Sequence, residues 1–323
     1  AEALRGARRR FDALPAGGGP DEAAGDLLAD ALRACPSDPG VLDEAGEGFR
    51  MLGQPRAALA VFSHGVRQGL WHHPLQRVLE NFRRGLASAP LLPEAALDDL
   101  PELREVRDVI HSAWATVRSE FLRRRRSSNS GHVLIQWCGQ DRRCWLQWPP
   151  RWQEGSWSHY YIAPMRPPGA TSQWLWSGES DECNWSGYPL LCDILVRLRR
   201  RGLVITSAAV TEVLGPKTFI PAHRDQQWKL RLMCPLVVPR NSSSILRFPG
   251  YATKEFREGD CWWFDESYEH EMLYRGRYFR AALVVDLWHP GFDGRAAGAG
   301  WADAWRNHSA AQARLLEPGG EPA

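Results

Sequence analysis

The hydrophobic pattern of the chain changes once, near residue 126, and this change limits the folds that the sequence can adopt. Before it, apolar residues recur at three- and four-residue steps, as across 103–123, where the spacing predicts one continuous amphipathic helix. After it, short β-rich runs such as HVLIQWC, LRLMCPLVV and RAALVVDLW alternate with Gly, Pro and Asn turns, which is typical of a jelly roll. We therefore predict an α+β multidomain protein with three parts: an α-helical region over 1–128, an all-β double-stranded β-helix (jelly roll) over 129–292, and a tail over 293–323 that carries a short helix at 301–316.

Residues 39–72 match the 34-residue tetratricopeptide pattern. Large, small and aromatic residues stand where paired helices of such a repeat touch: Leu42, Gly46, Phe49, Ala58 and Phe62. Small residues let the helices approach, and aromatic residues fill the groove between them. Residues 24–36 match the second helix of a preceding repeat. One and a half repeats are too few for a free-standing solenoid, so we expect this region to dock on the all-β domain or to continue upstream.

Charge and hydropathy argue against two classes of partner. The net charge of the 323 residues is only +2, which gives no strong field for nucleic acid or an anionic membrane. No run of about 18 apolar residues is present, so we predict no spanning helix. Because the chain begins at Ala1 and not at Met, we expect that a signal segment or a membrane anchor preceded it. The run Arg123–Arg126 fits a solvated helix end favoured by the macrodipole, with contact to phosphate or lipid headgroups as the alternative.

The seven cysteines leave the redox compartment open. Cys138 and Cys144 bracket one short loop and Cys183 and Cys192 bracket another, so each pair is either a disulfide or two reduced thiols. Three of the five asparagines lie in N-x-S sequons, which are compatible with a secretory lumen: Asn184, Asn241 and Asn307. We therefore expect the lumen of the secretory pathway, such as the endoplasmic reticulum, with the cytoplasm as the alternative.

Two histidines and an aspartate carry the strongest chemical signal. His223 is followed at +2 by Asp225, and His270 lies 47 residues after His223 (270 − 223), each in a β-rich stretch. Side chains at i and i+2 of a strand point to the same face. A His-x-Asp step with a distant histidine is the ligand order of the 2-His-1-carboxylate triad, which leaves positions on Fe(II) open. By itself a His-x-Asp pair is more often a structural ion pair or a solvated turn.

The surrounding residues resemble the aspartyl/asparaginyl β-hydroxylase family of iron- and 2-oxoglutarate-dependent oxygenases. The resemblance covers about 155–290 and includes GPKTFIPAH, KLRLMCPLVVP, FDESYEHE and the closing FRAALVVDLWHP. GLWHHPLQR, at 69–77, is similar to the connector between repeats and oxygenase domain in this family. The resemblance implies Fe(II), 2-oxoglutarate and O2, with His223, Asp225 and His270 as the catalytic metal ligands. It also favours a disulfide between Cys183 and Cys192.

The same resemblance implies a co-substrate site. Arg280, ten residues after His270, would bind the distal carboxylate of 2-oxoglutarate through the bidentate fork that arginine offers. Arg231 matches the family arginine beside the metal-side carboxylate. Two departures stand out. Met233 occupies a position where the family often has histidine, and Glu212 falls where a hydroxyl-bearing residue would assist the distal carboxylate; Thr211 takes that role if the register shifts.

The implied reaction is the oxidative decarboxylation of 2-oxoglutarate to succinate and CO2, coupled to hydroxylation of a substrate C–H bond. Peptide-hydroxylating animal members lack a carboxylate at the position of Asp225, whereas bacterial members like the lipid A hydroxylases keep His-Arg-Asp. Helical repeats offer surfaces for extended chains, so we predict hydroxylation of Asp or Asn side chains in a peptide or protein. The alternatives are hydroxylation of a lipid acyl chain, a catalytically inactive interaction module, and an adaptor that works through its repeats.

Overall fold

The structure is a computed structural model. It describes residues 5–6, 22–71, 73–77, 89–126, 143–144, 151–152, 157–163, 183, 185–225, 227 and 229–289; between 143 and 163 it describes the backbone alone, except at Ile162. Cys138, the sequon residues Asn184 and Asn307, and the tail with its predicted helix at 301–316 lie outside the described residues. Within the described ranges, no helix is both long and apolar enough to span a membrane.

The described residues before 127 form mainly helices, as predicted. Its helices are α1 (Glu22–Ala34), α2 (Pro39–Met51), α3 (Pro55–Arg67), a 3₁₀ turn (Glu94–Leu97), α4 (Pro101–Ser112) and α5 (Trp114–Arg126). Asp38 caps α2, because its carboxylate accepts a hydrogen bond from the backbone N–H of Val41 at 2.9 Å. Proline stands in the first turn of α2, α3 and α4, where its missing N–H costs nothing.

Helices α2 and α3 pack as a close pair. A Cβ added at Gly46 would lie 2.1 Å from the ring of Phe62, so only glycine permits this approach. The buried Trp71 lies against Gly65 in the same way and donates its indole N–H to the carbonyl of Phe62 at 2.9 Å. The helix pair therefore has the small-against-aromatic packing that the sequence predicts, while its identity as a tetratricopeptide repeat stays a prediction.

The single helix predicted over 103–123 is wrong, because the chain breaks at Ala113 into α4 and α5. After the break, the indole of Trp114 donates to the carbonyl of Pro235 at 2.8 Å, and Arg118 donates to that of Leu236 at 2.9 Å. Helix α5 is thus held by hydrogen bonds to the backbone of strand residues 235 and 236. The apolar periodicity of the sequence could not predict this break, since the apolar residues of both helices are buried in the same core.

The β-rich part consists of antiparallel sheets. Its elements are β1 (Arg143–Cys144), β2 (Arg151–Trp152), β3 (Trp157–Ala163), α6 (Pro189–Arg200), β4 (Ile205–Val213), β5 (Lys217–His223), β6 (Lys229–Val237), β7 (Ser243–Phe248), β8 (Ala252–Glu255), β9 (Trp262–Phe264), β10 (His270–Arg275) and β11 (Arg280–Trp288). One sheet has the order β3-β4-β11-β6-β9 and the other β5-β10-β7-β8, while β1 and β2 form a separate pair. A helix at the place of α6 was not predicted.

Strand β11 is buried on both faces. Ala281, Leu283 and Val285 belong to an outer core that α4, α5 and α6 cover. Ala282 and Val284, on the opposite face, belong to an inner core between the two sheets. Burial on both faces explains why RAALVVDLW is a nearly continuous apolar run instead of an alternating one. The inner face of β11 begins at Arg280, and this places a cation at the edge of the inner core.

Two disulfides link described residues. Cys183 and Cys192 are bonded, which confirms the pairing that the family resemblance favoured. A second disulfide joins Cys234 of β6 to Cys261, just before β9. It was not predicted, because the cysteines are 27 positions apart in the sequence and only the register of β6 with β9 brings them together. Cys35 is a free thiol in the part of the chain that the structure describes.

Candidate metal centre and carboxylate site

The two candidate histidines face each other across neighbouring strands. His223 is the last residue of β5 and His270 the first of β10, and the antiparallel register places them directly opposite. Opposed residues of an antiparallel pair point to the same face of the sheet. The centroids of the two imidazole rings are accordingly 4.4 Å apart, with the rings tilted by 55°. The structure thus brings together two side chains that lie 47 residues apart in the sequence (270 − 223).

Hydrogen bonds indicate which nitrogen of each imidazole ring carries a proton. The Nδ1 atom of His223 lies 2.8 Å from the carbonyl oxygen of Pro221, and that of His270 lies 2.8 Å from the carbonyl oxygen of Tyr268. A carbonyl only accepts, so each Nδ1 carries a proton, and in the neutral ring Nε2 then carries the lone pair. Burial, with the neighbouring His223, holds the pKa of His270 well below its usual value. Neutral imidazoles with an oriented Nδ1–H are the form in which histidine binds metals.

Asp225 is placed differently. Its side chain is 44% exposed, and its Oδ2 lies 2.7 Å from the ammonium of Lys229. The backbone N–H of Asp225 donates to the carbonyl of Glu266 at 2.7 Å. Among the described residues, no three His, Cys, Asp or Glu side chains are gathered around one metal position. The structure therefore brings His223 and His270 together, with the charge of Asp225 near enough to raise the pKa of His270, and the three-ligand set stays a prediction.

Arg231 belongs to a buried ion-pair network. Its guanidinium binds both carboxylate oxygens of Asp286, at 2.6 and 2.7 Å, and also contacts Glu266. Lys229 adds contacts to Glu266 at 2.9 Å and to Asp286 at 3.4 Å. Burial alone would raise the pKa of Asp286, but Arg231 and Lys229 hold it far below its usual value. The expected contact of Arg231 with the metal-side carboxylate of 2-oxoglutarate stays a prediction, and protein carboxylates already bind this guanidinium.

Arg280 is a buried cation for which the described residues supply no carboxylate. The residue is 2% exposed, and its Nη1 lies 3.3 Å from the hydroxyl of Thr211. Its Nε has no hydrogen-bond partner among the described residues, and its Cζ lies 4.3 Å from the ring centroid of Phe256. Burial lowers the pKa of Arg280 to about 9, so the guanidinium remains charged at neutral pH. Because an unpaired buried charge is costly, this site fits an anionic ligand.

Thr211 and Glu212 lie on opposite faces of β4. Thr211 faces Arg280, whereas Glu212 binds the guanidinium of Arg125 at 2.9 and 3.2 Å. Arg125 also lies 3.7 Å above the ring centroid of Phe279. Successive side chains of a strand alternate between faces, so the one-residue shift that we considered places the hydroxyl at the site. Thr211 is therefore the one of these two residues that lies beside Arg280, and Arg125 of the Arg123–Arg126 run is partly solvated but also pairs with Glu212.

Arg125→Met is expected to destabilise the protein without changing co-substrate binding. Loss of Arg125 removes the ion pair of the buried Glu212 carboxylate, which should lower the free energy of unfolding by about 2 kcal/mol, less than a fully buried pair would cost. Urea unfolding measures this loss, with Arg123→Met in the same helix as the control. Equal destabilisation by both variants, or weaker 2-oxoglutarate binding by Arg125→Met alone, would contradict the placement of Glu212 on the outer face.

A row of aromatic rings connects the arginine to the histidines. Phe256, beneath Arg280, lies 5.7 Å from Trp262, which lies 5.4 Å from Phe264, and Phe264 lies 5.2 Å from His270, all between ring centroids. These side chains share the inner core with Met233, which is 7% exposed. The cation and the imidazoles therefore face one apolar interior. An apolar site lined with a few oriented polar groups is typical of a small-molecule pocket.

Sequence reasoning missed several residues of this region. Lys229, Glu266 and Asp286 form the network around Arg231, and Phe256 and Trp262 form part of the wall. One signal was available for Lys229, which stands two residues before Arg231 and so shares its face of β6. No local signal identifies Glu266 or Asp286 as its partners.

A family comparison agrees with this geometry. The sequence model of the family described as aspartyl/asparaginyl beta-hydroxylase matches residues 111–290, which are 180 of the 323 residues (290 − 111 + 1). The match includes α5, all the described strands and every predicted site residue.

Individual relatives match a shorter segment. The aspartyl/asparaginyl beta-hydroxylases of Homo sapiens and Mus musculus are each 31% identical to this chain over 134 residues. That segment is 39% of this chain and 17% of each relative, so the chain spans a minor part of their length. An oxidoreductase of the 2OG-Fe(II) oxygenase family from Burkholderia pseudomallei aligns with 41% of this chain and 68% of its own, at 15% identity and a TM-score of 0.29. A score this low does not establish a common fold, so the assignment rests on the family match.

Proposed function

The chain belongs to the aspartyl/asparaginyl β-hydroxylase family, and from this membership we propose that it is an Fe(II)- and 2-oxoglutarate-dependent oxygenase. The observation that carries the proposal is the buried guanidinium of Arg280, for which no described residue supplies a carboxylate and which shares an apolar interior with two opposed imidazoles. A cation and a pair of candidate metal ligands facing one apolar interior suit a dicarboxylate that binds the metal at one end and arginine at the other.

In the proposed complex, His223 and His270 hold the iron through Nε2, since their Nδ1–H groups donate to Pro221 and Tyr268. We propose Asp225 as the third ligand; the ion pair with Lys229 engages one of its two oxygens. When bound, Fe(II) would supply O2 activation coupled to decarboxylation of 2-oxoglutarate. One oxygen atom of O2 would enter succinate and the other the substrate, with release of CO2.

Residues of the chain position the co-substrate and exclude water. Arg280 would bind the distal carboxylate through two parallel N–H groups, and the hydroxyl of Thr211 would add a third contact. Phe256, Trp262 and Phe264 form a dry wall, which strengthens every charge interaction inside the cavity. The neutral state of His270 keeps a lone pair available at physiological pH.

The substrate is proposed from the family name, which describes hydroxylation of aspartyl and asparaginyl side chains. A peptide or protein is therefore the first candidate substrate. Helices α1–α3 would contribute to its recognition if they form a repeat. The presence of Asp225 favours a second candidate, a lipid acyl chain, because the bacterial acyl-chain hydroxylases keep this carboxylate.

The proposed compartment is an oxidising one. The disulfides Cys183–Cys192 and Cys234–Cys261 and the exposed sequon residue Asn241, in the turn between β6 and β7, support a secretory lumen.

Succinate formation tests the function. Purified protein is loaded anaerobically with Fe(II) and 2-oxoglutarate, O2 is admitted, and succinate is measured with Asp- and Asn-containing peptides and with acylated lipids, against His223→Ala. The proposal expects succinate that depends on Fe(II), with an increase for one substrate class. No succinate above the His223→Ala level over the whole panel would favour an inactive interaction module.

A further inference from the structure

Six charged side chains form a cluster at the junction between α2, the connector 73–77 and the strands that carry the histidines. We call it the junction cluster, and its members are Asp43, Glu47, Arg50, Arg77, Arg224 and Glu269. Three cations and three carboxylates balance each other. Most of the six are nearly or fully buried, and only the side chain of Arg50 is more than one-fifth exposed, at 28%.

Arg77 is the centre of the junction cluster. Its side chain is fully buried, with Nε 2.8 Å from Asp43 and Nη2 2.6 Å from Glu269, and it also contacts Glu47. Its Cζ lies 3.6 Å from the ring centroid of Phe62 in α3. Burial alone would lower the pKa of Arg77, but Glu269, Glu47 and Asp43 raise it above its usual value. One guanidinium therefore connects both helices of the α2–α3 pair to the β-rich part.

The other members stand next to the histidines in the sequence. Arg224 lies between His223 and Asp225; it contacts Asp43 of α2 and donates its Nε to the carbonyl of Arg77 at 2.6 Å. Glu269 directly precedes His270 and binds Arg77, and it also contacts Arg50 of α2. Each histidine is thus the direct sequence neighbour of a residue whose side chain contacts helix α2.

The connector 73–77 also forms hydrogen bonds with the residues just before His270. The N–H of Glu269 donates to the carbonyl of Leu75 at 2.7 Å, and the side chain of Gln76 donates to the hydroxyl of Ser267 at 2.9 Å. The loop that sets the position of His270 is therefore anchored from outside the two sheets.

We propose that α2 is a positioning element for the metal centre, acting through the junction cluster on Arg224 and Glu269. This inference rests on the proposed metal-binding function. Asp43 and Glu47 bind the guanidinium groups of the junction cluster, so we assign them as positioning residues and not as ligands. Without their charges, three cations would share the single carboxylate of Glu269, and the cluster would rearrange together with the strand ends that carry His223 and His270.

The test compares Asp43→Asn/Glu47→Gln with Asp30→Asn/Glu255→Gln, a control that removes the same two charges from exposed ion pairs with Arg33 and Arg257. The probe is Mn(II), whose binding to the full chain is measured by electron paramagnetic resonance. The proposal expects the Mn(II) Kd of the junction variant to rise about tenfold, as for residues that orient metal ligands, and that of the control to stay within about twofold. A well-folded junction variant with unchanged Kd would overturn it.

Hydrogen exchange of the metal-free proteins separates this inference from the proposed function. The junction variant should exchange faster than the control at the ends of β5 and β10, around residues 221–225 and 268–272, while β4 and β11 stay protected. Unchanged exchange there would also overturn the inference. If the wild-type chain binds no Mn(II), the proposed function fails, and the exchange result still decides whether α2 orders the two strand ends. If the double variant does not fold, the same two measurements are made on Asp43→Asn alone, which removes the contact with Arg224.

Discussion

Replacement of Arg280 by methionine is expected to have two opposite effects. 2-Oxoglutarate should bind more weakly by about 3 kcal/mol, or more than a hundredfold in Kd, because the distal carboxylate loses its buried, charge-assisted partner. The ligand-free protein should become more stable by about 1–3 kcal/mol, because methionine replaces a buried cation for which the described residues supply no carboxylate. Isothermal titration calorimetry on the Mn(II)-loaded protein and urea unfolding of the metal-free protein measure the two effects.

Arg280→Lys is the matched control. Lysine keeps the charge and loses the bidentate fork, so co-substrate binding should weaken without a gain in stability. 2-Oxoglutarate should also raise the Tm of the Mn(II)-loaded wild type and leave that of Arg280→Met almost unchanged, since a ligand stabilises only the state that binds it. If Arg280→Met loses Mn(II) and 2-oxoglutarate affinity equally, or unfolds more easily than the wild type, Arg280 is a structural residue.

His270→Ala is expected to cause the largest loss of metal binding. Nε2 of His270 is held by the bond from Nδ1–H to Tyr268, and the ring faces His223 at 4.4 Å between centroids. Removing the whole ligand should cost more than the loss of a residue that merely orients one, so we expect the Mn(II) Kd to rise more than about 100-fold. Succinate formation should fall to the level of the protein without metal.

Asp225→Ala provides the contrast. Its carboxylate is partly exposed and bonded to Lys229, so we expect a smaller rise in the Mn(II) Kd, about tenfold. A loss as large as that of His270→Ala would mean that the carboxylate leaves Lys229 to bind the metal as a full third ligand. No change at all would identify a two-histidine centre, and Asp225 would then serve the ion-pair network.

Several features of the site were predictable because they depend on residues close in sequence. The His-x-Asp step follows from strand alternation. The choice between Glu212 and Thr211 follows from it too, because neighbouring residues of a strand point to opposite faces. The family resemblance identified the Cys183–Cys192 pair and the roles considered for His223, His270 and Arg280. The helix break at Ala113 could not be predicted, because its cause lies in the carbonyls of β6 that Trp114 and Arg118 reach.

The sequence by itself determined where a helical pattern gives way to a β-rich one and which residue types stand at the positions of a metal and carboxylate site. These properties follow from periodicity and from the order of neighbouring residues. Only the tertiary structure decided that His223 and His270 are opposed, that Lys229 binds Asp225, and that Arg280 has no carboxylate among the described residues. The reason is physical: charge pairing depends on which elements meet, and the contact of Arg50 with Glu269 joins residues 219 positions apart.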